Sequence, residues 1–199
     1  MNDVYKTIEE SAEGYVSEKK SKFISVVHPV KSADEAKSIV DEYRKKYYDA
    51  RHVCWAYMLG AERNDFRAND DGEPSGTAGR PILGQINSHE LTDVLILVVR
   101  YFGGTLLGTS GLIKAYKEAA ADAITNAKIV EKTIDEPIVI RFDYVLLNEV
   151  MRILKQFEHV RWEQDFKENC IMRLQIRKSL APQLRKMLGK VHGVSFIVI

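Results

Sequence analysis

The sequence predicts an α+β protein of two domains, and three observations carry that prediction. Segments of strand period and segments of helix period alternate as far as residue 126. Pro137 closes the charged stretch from Glu131 to Glu136, a composition suited to a domain boundary, which we place between residues 133 and 134. The remaining residues read in the order βαββαβ, a ferredoxin-like arrangement. With 199 residues, 45% of them hydrophobic, each domain has enough apolar material for a core.

Residues 4–30 read as strands, because Tyr15-Val16 and Phe23–Val27 are rich in β-formers, with Gly14 and Pro29 as punctuation. Ser32-Ala33-Asp34-Glu35 has the Ser-x-x-Glu form of a capping box, and Ala36, Ile39, Val40 and Tyr43 then recur at helical spacing. Residues 51–59 form a strand with Val53, Trp55 and Tyr57 on one face and His52, Cys54 and Ala56 on the other. Residues 61–80, rich in Asn-Asp, Asp-Gly and Pro-Ser-Gly combinations, are expected to be one long loop. Leu91–Tyr101 is a nearly continuous apolar run, as in a strand covered on both faces. Glycines at 103, 104, 108 and 111 end it, and a helix from about Ser110 to Asn126 turns Leu112, Ile113, Tyr116, Ala119, Ala120, Ala123 and Ile124 inward. In the second domain the expected elements are strand Ile138–Tyr144, helix Leu146–Phe157, a hairpin of Val160–Phe166 and Ile171–Arg177, helix Leu180–Val191 and strand Val194–Ile199.

Composition restricts the partners. The net charge is +1, split as −2 over residues 1–133 and +3 over 134–199, so nucleic-acid binding would need a local patch rather than a global field. Two distant cysteines, Cys54 and Cys170, and an N-terminus without a basic-then-apolar segment fit a reducing cytoplasm. The apolar run ended by Arg100 is far shorter than the roughly 20 residues of a membrane-spanning helix, so no membrane partner is expected.

Three segments could carry chemistry. In Asn69–Pro81, the carboxylates of Asp70, Asp71 and Glu73 crowd a loop with Ser75, Thr77, Arg80 and three glycines. Such a loop either recognises an anion or is a structural turn whose Asp side chains accept from backbone N–H groups, and Asp70-Asp71-Gly72 lacks the alternating ligands of a calcium loop. The second segment runs from Arg100 and Tyr101 through Gly103, Gly104 and Gly108 to Ser110 and Gly111, between strand and helix, where phosphates are often cradled. Residues 103–110 fit Gly-x-x-x-x-Gly-x-Ser, but Thr109 stands where a P-loop needs lysine, which excludes a P-loop NTPase. Two readings stay open: an anion at the helix N-terminus, assisted by Arg100 and Lys114, or Ser110 as a simple helix cap. In the third segment, Arg51-His52-x-Cys54, the residues fit a buried thiol beside a hydrogen-bonded histidine better than a nucleophilic pair or a metal site. His89, His159 and His192 read as surface residues. In the second domain, Arg173, Arg177, Lys178, Arg185, Lys186 and Lys190 would suit phosphates or a plain solvated face, without the aromatic pattern of an RNA-recognition sheet.

Taken together, Lys20–Phe23, Ala50–Ala56, Asp70–Pro81, Val98–Gly104, Leu107-Gly108, Gly111-Leu112 and Ala115-Tyr116 resemble the Impact/YigZ family, and the βαββαβ tail resembles the small C-terminal domain of its bacterial branch. The resemblance implies an N-terminal domain of the type found in ribosomal proteins and elongation factors, a ferredoxin-like second domain, and translation as the setting. Eukaryotic relatives regulate translation initiation through a partner-binding domain that the matched residues do not include, so that mechanism is not carried over. The leading expectation is a translation-associated binding protein that meets RNA, the ribosome or a translation factor through Arg51, Arg80, Arg100 and Lys114, without a metal or other cofactor. The competing expectation is an enzyme for a small phosphorylated or nucleotide-like substrate, with Asp71 or Glu73 as base or metal ligand and His52 as acid/base partner.

Overall fold

A computed structural model describes residues 3–166 and 170–198, and its contacts divide the chain into two units: Tyr5–Lys132, and Thr133 onward together with Asp3 and Val4. The predicted end of the last strand, Ile199, lies outside the described residues.

The first unit is built on a five-stranded antiparallel sheet. Its strands are β2 (Ala12–Glu18), β3 (Ser21–Pro29), β4 (His52–Leu59), β5 (Asp65–Asn69) and β6 (Val94–Tyr101), ordered β2-β3-β6-β4-β5. A further strand, β1 (Val4–Ile8), pairs with β7 (Ile129–Thr133) as a separate ribbon. β6 takes the central position, with all its residues up to Arg100 buried, because the sheet is covered on both faces. On one face, α2 (Gly79–Ser88) and α3 (Gly108–Asn126) cover Phe23, Val27, Cys54, Ala56, Ile96 and Val98. On the other, α1 (Ala33–Lys46) packs Ala36 and Val40 against Val26, Val53, Tyr57, Leu95, Leu97 and Val99. The period-two division of residues 52–57 is therefore realised.

Small residues let α3 lie close to the sheet. Ala119 and Ala123 are fully buried, Ser25 Oγ donates to the Ala119 carbonyl at 2.6 Å, and a Cβ on Gly14 would overlap the backbone at Ala123. Ile113, expected inward, is exposed, since it falls outside the stripe defined by Leu112, Tyr116, Ala119 and Ala123. At the start of α1, Ser32 Oγ accepts from the Glu35 amide at 3.1 Å, as the capping box requires. The reciprocal bond goes to the Lys31 N–H rather than that of Ser32.

Two elements depart from expectation. Part of the expected long loop is β5, an edge strand with three of its five residues exposed and without an apolar alternation to reveal it. The other is α2, which begins at Gly79, where the backbone approaches Asn69 so closely that a Cβ would lie 2.6 Å from the Asn69 nitrogen.

The second unit carries the four-stranded antiparallel sheet β11-β8-β10-β9, formed by β8 (Asp135–Phe142), β9 (Arg161–Phe166), β10 (Cys170–Arg177) and β11 (Ser195–Ile197). Helices α4 (Leu147–Leu154) and α5 (Ala181–Leu188) supply Val150, Leu154, Leu184 and Leu188 to a core with Ile138, Ile140, Phe142, Met172, Leu174 and Ile176. This is the ferredoxin-like order. Its basic residues are partly engaged. The Arg177 guanidinium holds buried Asp3 through two bonds of 2.7 Å, and Arg185 donates to Glu136 at 2.8 Å, so neither is an uncommitted phosphate contact. Bonds from Arg177 and Ser179 hold the Asp3 carboxyl well below the usual carboxylate range. Among the described residues no helix is long and apolar enough to cross a membrane.

Candidate functional site

The N-terminal unit has a cleft of about 450 Å³ where three segments meet: Arg51-His52 at the start of β4, Gly72-Glu73-Pro74 from the loop after β5, and Arg100 with Phe102 and Leu106–Thr109 at the β6–α3 junction. The β-sheet explains the first and third contributions. His52 and Arg100 are paired neighbours on β4 and β6, so their side chains leave the same face of the sheet. Gly72 adopts φ +85°, a conformation suited to glycine, where the loop turns Glu73 inward.

Glu73 is the floor of the cleft, with its side chain 3% exposed. One oxygen, Oε1, accepts from Arg100 Nη1 at 2.6 Å and from the Tyr116 hydroxyl at 2.8 Å. His52 Nδ1 donates to the Asp71 carbonyl at 2.7 Å, which leaves Nε2 on the side of Glu73, 3.8 Å from Oε1. Arg100 is 5% exposed, and its guanidinium lies over the rings of Phe23 and Phe102 at 5.5 and 5.8 Å. Its Nε is fully buried and has no hydrogen-bond partner among the described residues. Behind this floor the Cys54 thiol lies 3.0 Å from the Asp70 carbonyl and 3.3 Å from the Tyr116 oxygen. Burial pushes the Cys54 thiol far above its ordinary range, so it is a protonated donor and no nucleophile. Burial likewise raises the Tyr116 phenol, reinforced by Cys54 and Glu73.

The remaining carboxylates of the loop are internal fittings. Asp70 Oδ1 accepts from the Ala78 and Gly79 amides at 3.0 and 2.8 Å, and Oδ2 accepts from Gly76 at 2.8 Å, which caps the N-terminus of α2 across the loop. Burial raises the Asp70 carboxyl, but those three N–H bonds outweigh it and leave the group below its ordinary value. Asp71 accepts from the Val53 amide at 2.7 Å and from Arg44 at 2.6 Å. Thr77 is buried and donates to the Pro74 carbonyl at 2.6 Å. For Asp70, Asp71 and Thr77 the structural turn is thus the reading that applies.

Of the residues singled out by sequence, Arg51, His52, Glu73, Arg100 and Gly108 line the cleft together. Asp70, Asp71, Ser75, Thr77 and Arg80 do not, and Ser75 and Arg80 are exposed. Tyr101 alternates with Arg100 and so faces the opposite side of the sheet, where its hydroxyl donates to Asp49 at 2.8 Å. Gly103 serves close packing: a Cβ there would overlap the Lys20–Ser21 peptide, and its N–H donates to Ser21 Oγ. Gly104 and Ser110 are exposed and lie outside the lining, and Lys114 sits 3.8 Å from Glu118 on the outer face of α3. Ser110 is not a cap. The helix begins two residues earlier, at Gly108, and among the described residues no side-chain oxygen accepts from the amides of its first turn. Phe102, Leu106, Leu107, Thr109 and Leu112 complete the cleft. The glycine pattern around them put the helix start near Ser110, two residues late, and did not mark them as lining.

The Impact N-terminal domain profile matches residues 19–124, which include every residue lining the cleft. The Bacillus subtilis IMPACT family member YvyE is 34% identical over 165 residues, 83% of this chain and 76% of that protein. The Escherichia coli member YigZ is 34% identical over 158 residues, 78% of each chain. A crystal structure of a hypothetical protein superimposes with a TM-score of 0.76 at 27% identity, covering 100% of this chain and 98% of that one. The chain belongs to the Impact family.

Proposed function

We propose that this protein is a translation-associated binding protein that contacts RNA, in the ribosome or free of it, by taking a phosphate into the cleft beside His52 and Arg100. The observation that carries the reading is that Gly108 and Thr109, at the uncapped start of α3, line the same cleft as Arg51, His52 and Arg100. Backbone N–H groups and the helix dipole, equivalent to roughly +0.5 charge, favour an anion there. Arg51, which is exposed at the rim, adds a full charge, while Glu73 offsets that of Arg100. Family membership supports the setting in translation.

Filter binding of a structured RNA across a salt series tests this. Arg51→Ala is expected to weaken binding about tenfold and to reduce the salt slope by about one phosphate contact. Undiminished binding by that variant, or affinity indifferent to salt, would refute the proposal.

One observation favours a catalytic alternative: His52 is oriented by the Asp71 carbonyl so that Nε2 is on the Glu73 side. In that reading His52 is the acid/base group and Glu73 its partner, whereas Asp71, held by Val53 and Arg44, is already engaged. Turnover of a phosphorylated nucleotide that His52→Gln abolishes without loss of binding would select it.

A further inference from the structure

Resting on the phosphate cleft proposed above, we infer that its ligand is the terminal phosphate monoester of an RNA strand, with the end nucleotide's base lying on Phe102. The donors come from different segments. Arg100, which is 5% exposed, lies near the end of β6, Gly108 and Thr109 belong to the first turn of α3, and Arg51 with His52 lies at the start of β4. A phosphate that reaches a buried guanidinium among these segments presents its oxygens inward and has room for one ester substituent toward solvent. A monoester offers three terminal oxygens and a single ester bond. A phosphate inside a strand carries two substituents, both of which would have to leave through the same mouth. Donors brought together from three segments therefore match the terminal group, whose second ionisation brings the charge close to −2 at neutral pH.

The mouth has a different character. Phe102 is 44% exposed and Leu106 82% exposed, and both border the cleft. The Phe102 ring also lies 5.8 Å from the Arg100 guanidinium, which holds it beside the phosphate position. An exposed aromatic ring next to an anion site is a stacking platform for a base of any identity. Phosphate inside and base at the rim define a nucleotide end, without sequence preference.

The test compares one short oligoribonucleotide in three forms: 5′-phosphorylated, 3′-phosphorylated, and with hydroxyls at both ends. At least one phosphorylated form is expected to bind about tenfold more tightly than the dihydroxyl form, and adenosine 5′-monophosphate is expected to compete more strongly than inorganic phosphate. Thr109→Glu places a carboxylate in the first turn of α3, where acidic residues stabilise a helix. It is expected to remove the tenfold advantage while the thermal midpoint stays level or rises, which separates loss of binding from loss of fold. Phe102→Ala is expected to weaken the phosphorylated RNA about tenfold and leave inorganic phosphate unaffected. Equal binding of all three RNAs, abolished by Thr109→Glu, would overturn the terminal-phosphate inference and leave the RNA cleft standing. No binding of any form would overturn both.

Discussion

Two helix starts in the N-terminal unit meet the same physical demand in opposite ways. The first amides at the start of α2 meet an acceptor from within, the Asp70 carboxylate, which reaches across the loop to Gly79, to the N-cap residue Ala78 and to Gly76 in the preceding loop. Those of α3 receive no side-chain acceptor among the described residues, and Gly108 and Thr109 there line a cleft that also holds Arg51 and Arg100. Every helix leaves about four N–H groups without intrahelical partners. At α2 the chain supplies its own anion, and at α3 no such group is supplied among the described residues. The comparison teaches that a cluster of acidic residues identifies a site only after its hydrogen-bond partners have been traced. In the loop richer in carboxylates, Asp70 and Asp71 are bonded within the fold and Glu73 alone of the three acids lines the cleft, beside the plainer glycine turn.

The largest effect should come from removing the internal anion. Asp70→Ala strands three amides in a part-buried loop, and at about 1–3 kcal/mol for each unsatisfied group the expected loss is roughly 4 kcal/mol in urea denaturation. A cost below about 1 kcal/mol would mean that water replaces the carboxylate and that the contrast between the two helices is weak. The sign of the pH dependence follows from the lowered Asp70 carboxyl. Because the folded value lies below the unfolded one, the stabilisation is fully present above the usual carboxylate range and is lost as pH falls through the folded value. Asp70→Asn should therefore show a shallower loss of stability than the parent protein as pH is lowered from about 5 toward 2.

Glu73 tests the floor of the cleft. Glu73→Ala leaves Arg100 buried without its counter-charge, at an expected cost of about 3 kcal/mol. Phosphate affinity should rise or stay level in that variant, since the anion beside the site is gone. A fall in affinity would show that Glu73 is needed to hold Arg100 in place for binding. Tyr116→Phe is milder. It removes the hydroxyl between Cys54 and Glu73 but leaves the ion pair with Arg100, and about 1 kcal/mol is expected from thermal unfolding.

What was legible in the sequence divides along the same physical line. Elements packed on a core carry an apolar signature, continuous in β6 and periodic in α1 and the body of α3, and they were visible for that reason. The strand β5 lies at an edge with Phe66 and Arg67 exposed, so it has no alternation to read. The participants of the cleft were legible as motifs, because Arg51-His52, Glu73 and Arg100 are unusual residues for their positions. Their roles were not. Whether Asp70 faces a ligand or the backbone depends on amides six to nine residues away, which only the folded loop brings near. Tyr101 is an exception: the motif grouped it with Arg100, although strand alternation alone puts the two on opposite faces.

The smallest expected effects are the most discriminating for the path of a bound strand. Arg80 is exposed at the start of α2 and Lys114 is exposed on α3 beside Glu118, and neither borders the cleft. Replacing either by alanine should change stability by less than about 0.5 kcal/mol, as for ordinary surface positions. In filter binding each should lower RNA affinity by at most about twofold, against the tenfold expected for Arg51→Ala, because the charge lost lies outside the cleft and is screened over about 10 Å at moderate salt. If Arg80→Ala or Lys114→Ala weakened binding as much as Arg51→Ala, the phosphates would run along the outer faces of α2 and α3. The difference between the two helix starts would then concern folding alone.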